Sequence, residues 1–184
     1  MRVKKRGKRP ARPSGRTPAL APVCLAFALG IAAVSVFYKS LGEAEVLFSQ
    51  WLSSESFLQL IFSCALWYVL VCLAATSTLC LPLVAMAAFF CGGSLAYQTA
   101  SIISAGAPVI FLQILLRVAL PGIILVPSFI FLACAAVPAS VGLRAPDSGK
   151  RRLASRRMLA ASALSFTALV CACSYIHFLL PKFI

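Results

Sequence analysis

The chain has 184 residues, of which 61% are hydrophobic and only 11% are charged. A soluble domain is about half apolar and about one quarter charged, so this composition excludes a water-soluble globular fold. The net charge of +13 lies mostly in two clusters beside apolar runs, which argues against nucleic-acid binding. We therefore expect an all-α, polytopic membrane protein built as a helical bundle.

The chain begins with a basic segment that is rich in proline and glycine, MRVKKRGKRPARPSGRTP. It cannot bury a core, so we predict a disordered cytoplasmic tail (1–18) ahead of a transmembrane domain (19–184). Its charge favours contact with anionic lipid head groups. Residues 19–38 predict the first span, because 20 helical residues cover ~30 Å of hydrocarbon. A cleaved signal peptide is the alternative, but its apolar core is only ~7–15 residues long.

The most polar internal segment covers residues 39–56 and holds three of the four acids: Glu43, Glu45 and Glu55. With one lysine against three glutamates, it suits the outer side of a membrane. Trp51 in the same segment fits the head-group level of the lipid. We predict that these four side chains form an outer surface for partner contacts.

Residues 57–76 predict a second span and residues 81–97 a third, joined by a tight turn. Pro82 fits the first turn of the third helix, where its missing N–H costs little. Small residues recur at every fourth position on one face of this helix: Ala88, Gly92 and Ala96. That spacing lets two helices approach closely in lipid, so we predict a helix-packing face.

The longest apolar run, residues 108–143, is too long for one straight span. As a single helix it would reach ~54 Å, nearly twice the hydrocarbon thickness. Three residues in it favour kinks or breaks: Pro121, Gly122 and Pro127. We place the break at the first two and predict a short interfacial or re-entrant helix over 108–120. A true span over 122–142 follows.

Arg117 is the one ionisable residue well inside a long apolar run. A charge at mid-bilayer costs ~2.5–3.5 kcal/mol on the lenient insertion scale. Three interpretations are open. The side chain snorkels to the outer interface, or it pairs with a carboxylate or backbone carbonyl at an assembly surface, or it lies on a transport pathway.

A second basic segment, residues 144–157, is predicted as a loop, and the last span is predicted over 158–179. This segment and the tail hold 14 of the 17 basic residues, and positive residues favour the cytoplasmic side. The predicted topology has about five transmembrane helices, with the N-terminus inside and the C-terminus outside.

Residues able to carry out chemistry are scarce in the predicted spans. The acids lie in predicted loops, there is one histidine (His177), and no nucleotide-binding, zinc-protease or serine-hydrolase signature occurs. The eight cysteines lie in or beside apolar runs, which favours packing over disulfides or metal binding. We therefore predict no enzyme activity, no cofactor and no metal site. The lack of intramembrane acids also disfavours ion-coupled transport.

Several motifs follow one another in a distinctive order. An LW pair at Leu66–Trp67 precedes LPL at 81–83, the glycine-bearing FFCGGSLAY, and the run IFLQILLRVALPGIILVPSFIFL. A basic linker and a last hydrophobic helix complete an order that resembles the stage II sporulation protein M family. FALGIAAVSVF is likewise similar to the first span of that family. Cys91 and Gly122 depart from its pattern, which tends to have lysine and asparagine there.

The resemblance implies a multi-span protein of the bacterial cytoplasmic membrane. It would localise cell-wall-degrading partners, the stage II sporulation proteins D and P, during septum thinning and engulfment. The leading hypothesis is therefore a non-enzymatic scaffold whose partners are membrane lipids, membrane-anchored proteins and, as a further candidate, another copy of itself. The alternative is a small transport subunit, such as a permease component or a channel-like oligomer, suggested by the broken helix at Pro121.

Overall fold

The computed structural model describes residues 20–41, 57–106 and 110–179, and every regular element in these ranges is helical. The helices are α1 (Leu20–Phe37), α2 (Phe57–Ala74), α3 (Cys80–Ser104), α4 (Ile110–Ile114), α5 (Leu120–Leu143) and α6 (Ser148–Ser174). A 3₁₀ turn, Tyr38–Ser40, extends α1. One π-helical turn, Leu115–Ala119, joins α4 to α5, and another, Tyr175–Leu179, extends α6. The predicted tail lies outside the described residues.

In the part of the chain that the structure describes, four helical stretches are long and apolar enough to cross a membrane: Leu20–Ser40, Cys80–Ser104, Ile110–Leu143 and Ser148–Leu179. A fifth apolar helix, Leu60–Ala74, is shorter. Large apolar side chains point outward from the bundle, and Phe62 and Phe111 are each 80% exposed. Such a surface suits lipid rather than water, and helices satisfy their own backbone hydrogen bonds there. The predicted membrane helical bundle is confirmed.

Consecutive long helices alternate in direction. Gly30 of α1 lies against Phe89 of α3, and farther along both helices Tyr38 is hydrogen-bonded to Ser104. Residue numbers therefore rise together, and α1 and α3 are parallel. The helix between them, α2, returns in the opposite direction through the short turn at residues 75–79.

The last helix, α6, is antiparallel to α2. The Phe57 and His177 rings lie 5.5 Å apart, and the Tyr68 and Phe166 rings lie 6.0 Å apart, so residue numbers run in opposite senses. A connection of four residues, 144–147, turns α5 back into α6. We call the end where α1, α3 and α6 start the basic end, and the end where they finish the far end.

Two glycines bring the backbones of α1 and α3 into direct contact. A Cβ added at Gly30 would collide with the carbonyl of Phe89, and one added at Gly92 would collide with the carbonyl of Phe27. Only glycine permits this approach, which increases dispersion contacts between helices in lipid. The neighbouring small residues on this face of α3 are also buried: Ala88 and Ala96.

A hydrogen-bonded group ties three helices together in the core. The Tyr68 hydroxyl of α2 donates to the Leu125 carbonyl of α5 at 3.0 Å and lies 2.9 Å from the Ser128 hydroxyl. From α6, the Ser165 hydroxyl donates to the Ser128 carbonyl at 2.9 Å. Each buried hydroxyl therefore has a partner, which avoids the cost of an unsatisfied polar group in hydrocarbon.

The helix does not break at Pro121–Gly122 as predicted, because it continues through the proline. The irregular turn lies one turn earlier. It is the π-helical turn Leu115–Ala119, after which the Leu120 N–H donates to the carbonyl five residues back. A proline inside a helix lacks an N–H and crowds the carbonyl four residues back, so a widened preceding turn accommodates it. The short helix predicted over 108–120 is thus α4 with this turn, continuous with α5. Two further prolines lie inside α5: Pro127 and Pro138.

The basic segment predicted as a loop is mostly helical, which corrects that prediction. Only residues 144–147 connect the two helices, and α6 starts at Ser148. Asp147 accepts a hydrogen bond from the Gly149 N–H at 2.9 Å, which caps the helix. The alanine, leucine, lysine and arginine residues that follow are good helix formers. The basic side chains therefore lie on a helix that continues into the membrane.

The third helix is also longer than predicted, because it continues past residue 97 to Ser104. Its last turns are polar but remain helical, since their hydroxyls donate to carbonyls three or four residues back. The donors are Thr99, Ser101 and Ser104. Gly106 follows at φ 63°, the left-handed conformation that commonly terminates a helix.

Candidate functional site

The far end of the bundle gathers polar side chains from several helices. The Tyr38 ring lies 5.3 Å from the Tyr97 ring, and the Tyr38 hydroxyl lies 3.2 Å from Ser104 Oγ. These contacts join the ends of α1 and α3. In the turn after α6, His177 packs its ring against Phe57 at the start of α2. This end therefore combines aromatic and hydrogen-bonding groups, the composition of a membrane-interface belt.

Arg117 lies in the π-helical turn between α4 and α5 and is half-buried. Its Nε atom is buried and has no hydrogen-bond partner among the described residues. Guanidinium groups are usually paired when they leave water, because an unmet charged donor is costly. The π-helical turn matters here because such turns frequently occur at functional sites.

Gln98 on α3 has a similar deficit. The residue is only 3% exposed, and its Nε2 atom is buried with no hydrogen-bond partner among the described residues. The helix that carries Gln98 packs against both α4 and the turn that carries Arg117. Two neighbouring elements therefore each contribute a buried donor that finds no acceptor within residues 20–41, 57–106 and 110–179.

No carboxylate accepts a hydrogen bond from either of these buried donors within the described part of the chain. Its one acidic residue is Asp147, which caps α6 at the basic end. The four outer-loop residues predicted as partner contacts lie outside the described residues: Glu43, Glu45, Trp51 and Glu55. They belong to the connection between the end of α1 and the start of α2, both of which lie at the far end.

The remaining predicted residues lie elsewhere in the bundle. Pro82 is in the first turn of α3, and Gly92 packs on α1. Pro121 is buried in the first turn of α5, whereas Pro127 is exposed and a Cβ at Gly122 would meet open space. The structure thus associates Arg117 with α3, but it does not bring the α3 packing face into the same site.

Sequence reasoning missed Gln98. Its signal is an amide directly after the predicted third span, where polar side chains usually meet water or head groups. The helix instead continues for another six residues, which leaves Gln98 inside the bundle. A third span predicted to end at residue 97 therefore gives no indication that Gln98 is buried.

The fold and this polar end define a polytopic α-helical membrane protein, held together by small-residue helix packing. No protein-family model, curated protein or solved structure matches the chain. The resemblance to the stage II sporulation protein M family therefore remains a prediction carried by the sequence motifs.

Proposed function

We propose that the chain is a non-enzymatic membrane scaffold that binds partner proteins at its far end. The observation that carries this proposal is a pair of buried donors that have no acceptor among the described residues, Arg117 Nε and Gln98 Nε2. Leaving one buried donor unmet costs ~1–3 kcal/mol, and more when the group is charged. Both atoms are closed to solvent in the free chain, so a partner recovers this free energy only by supplying acceptors as α3 and the π-helical turn part locally on binding. The recovered free energy then gives the site both affinity and selectivity.

The chemistry of the two donors specifies the partner. A guanidinium recognises carboxylates and carbonyls, and its planar fork suits a carboxylate best. The expected ligand is an Asp or Glu side chain, or an exposed backbone carbonyl, in a partner's transmembrane or juxtamembrane segment. Such intramembrane pairings are typical of assembly surfaces.

We expect Arg117→Gln and Gln98→Leu each to lower capture of the partner about tenfold, because each removes a donor for the acceptors that the partner supplies. The measurement is quantitative crosslinking and mass spectrometry of the native membrane complex. Arg144→Gln is the matched control, since this exposed arginine lies at the basic end. Its capture should stay within about twofold of the unmodified chain.

The glutamates of residues 43–55 are a second source of acceptors, within the same chain. A further variant separates this source from the partner. Scrambling residues 43–55 should weaken capture if the loop is itself a contact surface. Unchanged capture in both the loop variant and the Arg117 variant, at equal protein levels, overturns the proposed surfaces.

We further propose that the basic end faces the cytoplasm, with the N-terminus inside and the C-terminus outside the bacterial membrane. The support is the run of lysine and arginine in the first turns of α6. Reporter fusions at residue 146 should be active only inside, and fusions after residue 184 only outside. The reverse pattern overturns this orientation.

The narrower form of the scaffold proposal rests on the family resemblance. The partners are then the cell-wall-degrading stage II sporulation proteins D and P, and the process is septum thinning and engulfment. Co-purification with these two proteins tests the narrower form. Capture of other membrane proteins but neither of these removes the sporulation role and leaves the scaffold role standing.

One observation favours a second function. The π-helical turn carries a half-buried arginine, and irregular helices at membrane depth mark binding sites in transporters. A small transport subunit is therefore the alternative. Solute-dependent flux in vesicles reconstituted with the purified chain would support it, and flux no greater than in empty vesicles would remove it.

A further inference from the structure

A groove of about 1140 Å³ opens between α1, α5 and α6, away from the far end. Most of its wall is apolar, with Cys24 from α1, Phe131 from α5 and Leu164 from α6. Small residues keep the groove open, notably Ala135 on α5 and Ala160 on α6. Such a recess in a membrane bundle holds chains of hydrocarbon rather than water.

Two basic side chains, Lys150 and Arg157, line the same groove. They and Leu164 follow one face of α6 at seven-residue intervals, or ~10.5 Å each. The groove therefore runs ~21 Å along α6, with Lys150 at its basic end, Arg157 about halfway along and an apolar floor at Leu164. One leaflet with its head groups measures ~20–22 Å, half of the full bilayer thickness. The length and the polarity of the groove match one membrane lipid.

The two cations favour an anionic occupant over a neutral or a cationic one. Both side chains are exposed, and neither forms an ion pair with a carboxylate in the described part of the chain. The nearest acid in sequence, Asp147, instead caps α6. Charge disfavours two other occupants of the groove, the N-terminal tail and a second copy of the chain. The tail carries eight basic residues, and a second copy presents the same cations.

We infer that the groove binds one anionic phospholipid. Lys150 and Arg157 extend their long side chains toward a single phosphate, while the acyl chains lie along α5 and α6. Basic pockets between membrane helices recognise anionic head groups by this combination of charge and apolar wall. The lipid site stands apart from the scaffold role, since it shares no residue with the far end.

The test is native mass spectrometry of the purified full chain in neutral detergent, with phosphatidylglycerol and phosphatidylcholine of equal acyl length. The unmodified chain should retain the anionic lipid in preference to the neutral one. Replacing both groove cations, Lys150→Gln with Arg157→Gln, should reduce this preference roughly 30-fold. The matched control, Arg152→Gln with Arg156→Gln, removes the same charge from positions that do not line the groove and should change the preference less than about twofold.

A second arm tests the apolar wall. Ala160→Trp fills the groove from an exposed position, and it should abolish retention of both lipids while the melting temperature stays unchanged. Ala160→Phe replaces it if the larger side chain prevents folding. Glycerol phosphate without acyl chains should not bind. Equal losses in the two charge variants, or full retention in the filled groove, overturn the lipid site.

Discussion

Gly92→Leu is expected to force α1 away from α3 and to lower the free energy of unfolding by about 3 kcal/mol, with partial loss of folded protein. Overpacking of a well-packed interior costs ~1–3 kcal/mol, and here the obstruction is a backbone carbonyl that cannot rotate aside. The helices must therefore separate, which removes dispersion contacts along the whole interface. Equilibrium unfolding in mixed detergent micelles measures the change.

The chain supplies its own control for the Gly92 experiment. Gly122 is also helical, but a Cβ added there meets nothing within 4 Å. Gly122→Leu should leave stability unchanged or raise it by up to ~1 kcal/mol, because leucine is the better helix former. Comparable destabilisation by both substitutions would mean that the tight α1–α3 contact is not what Gly92 provides.

Phe129→Ala is expected to destabilise the bundle by about 3 kcal/mol. The Phe129 side chain is fully buried, and its ring meets the Tyr68 ring edge-on with centroids 5.6 Å apart. Truncation leaves a cavity beside the hydrogen-bonded group of α2, α5 and α6, and Phe-to-Ala changes in cores cost ~3–5 kcal/mol. We expect the lower end of this range of destabilisation, because lipid also solvates the Phe129 ring in the unfolded reference state.

Phe62→Ala is the matched control, because this ring is 80% exposed on α2. It faces the surroundings in the folded and the unfolded state alike, so the expected change is below about 0.5 kcal/mol. Thermal unfolding of both variants in the same detergent gives the comparison. A Phe129 variant as stable as the Phe62 variant would show that this contact region is not tightly packed.

The class of fold and the placement of the helices follow from hydropathy and length. The first span was predicted over 19–38 and is observed as Leu20–Phe37, because one long apolar run between polar segments leaves little freedom. Pairing of the helices is different. In lipid every helix face is apolar, so hydropathy carries no information about neighbours. Small-residue spacing on α3 is the one available signal, and its structural counterpart on α1 is the single glycine Gly30.

The sequence indicated one of the two residues of the candidate site, Arg117, but not Gln98. Arg117 stood out because a charge in an apolar run is costly, but its unmet Nε emerges only from the packing around the π-helical turn. The lipid-facing role of the second basic segment was hidden for another reason. Its charges, with proline and glycine nearby, read as a loop, whereas the Asp147 cap starts a helix that directs Lys150 and Arg157 along one face.

The parallel pairing of α1 with α3 has a consequence for biogenesis. About 60 residues separate Gly30 from Gly92, so a ribosome working at ~5–20 residues per second takes ~3–12 s to make the second after the first. Until then the first helix has no partner for its glycine face. Nascent α1 must therefore wait in the insertion machinery or in bare lipid, and this interval is when a chaperone or quality-control protease has access to it.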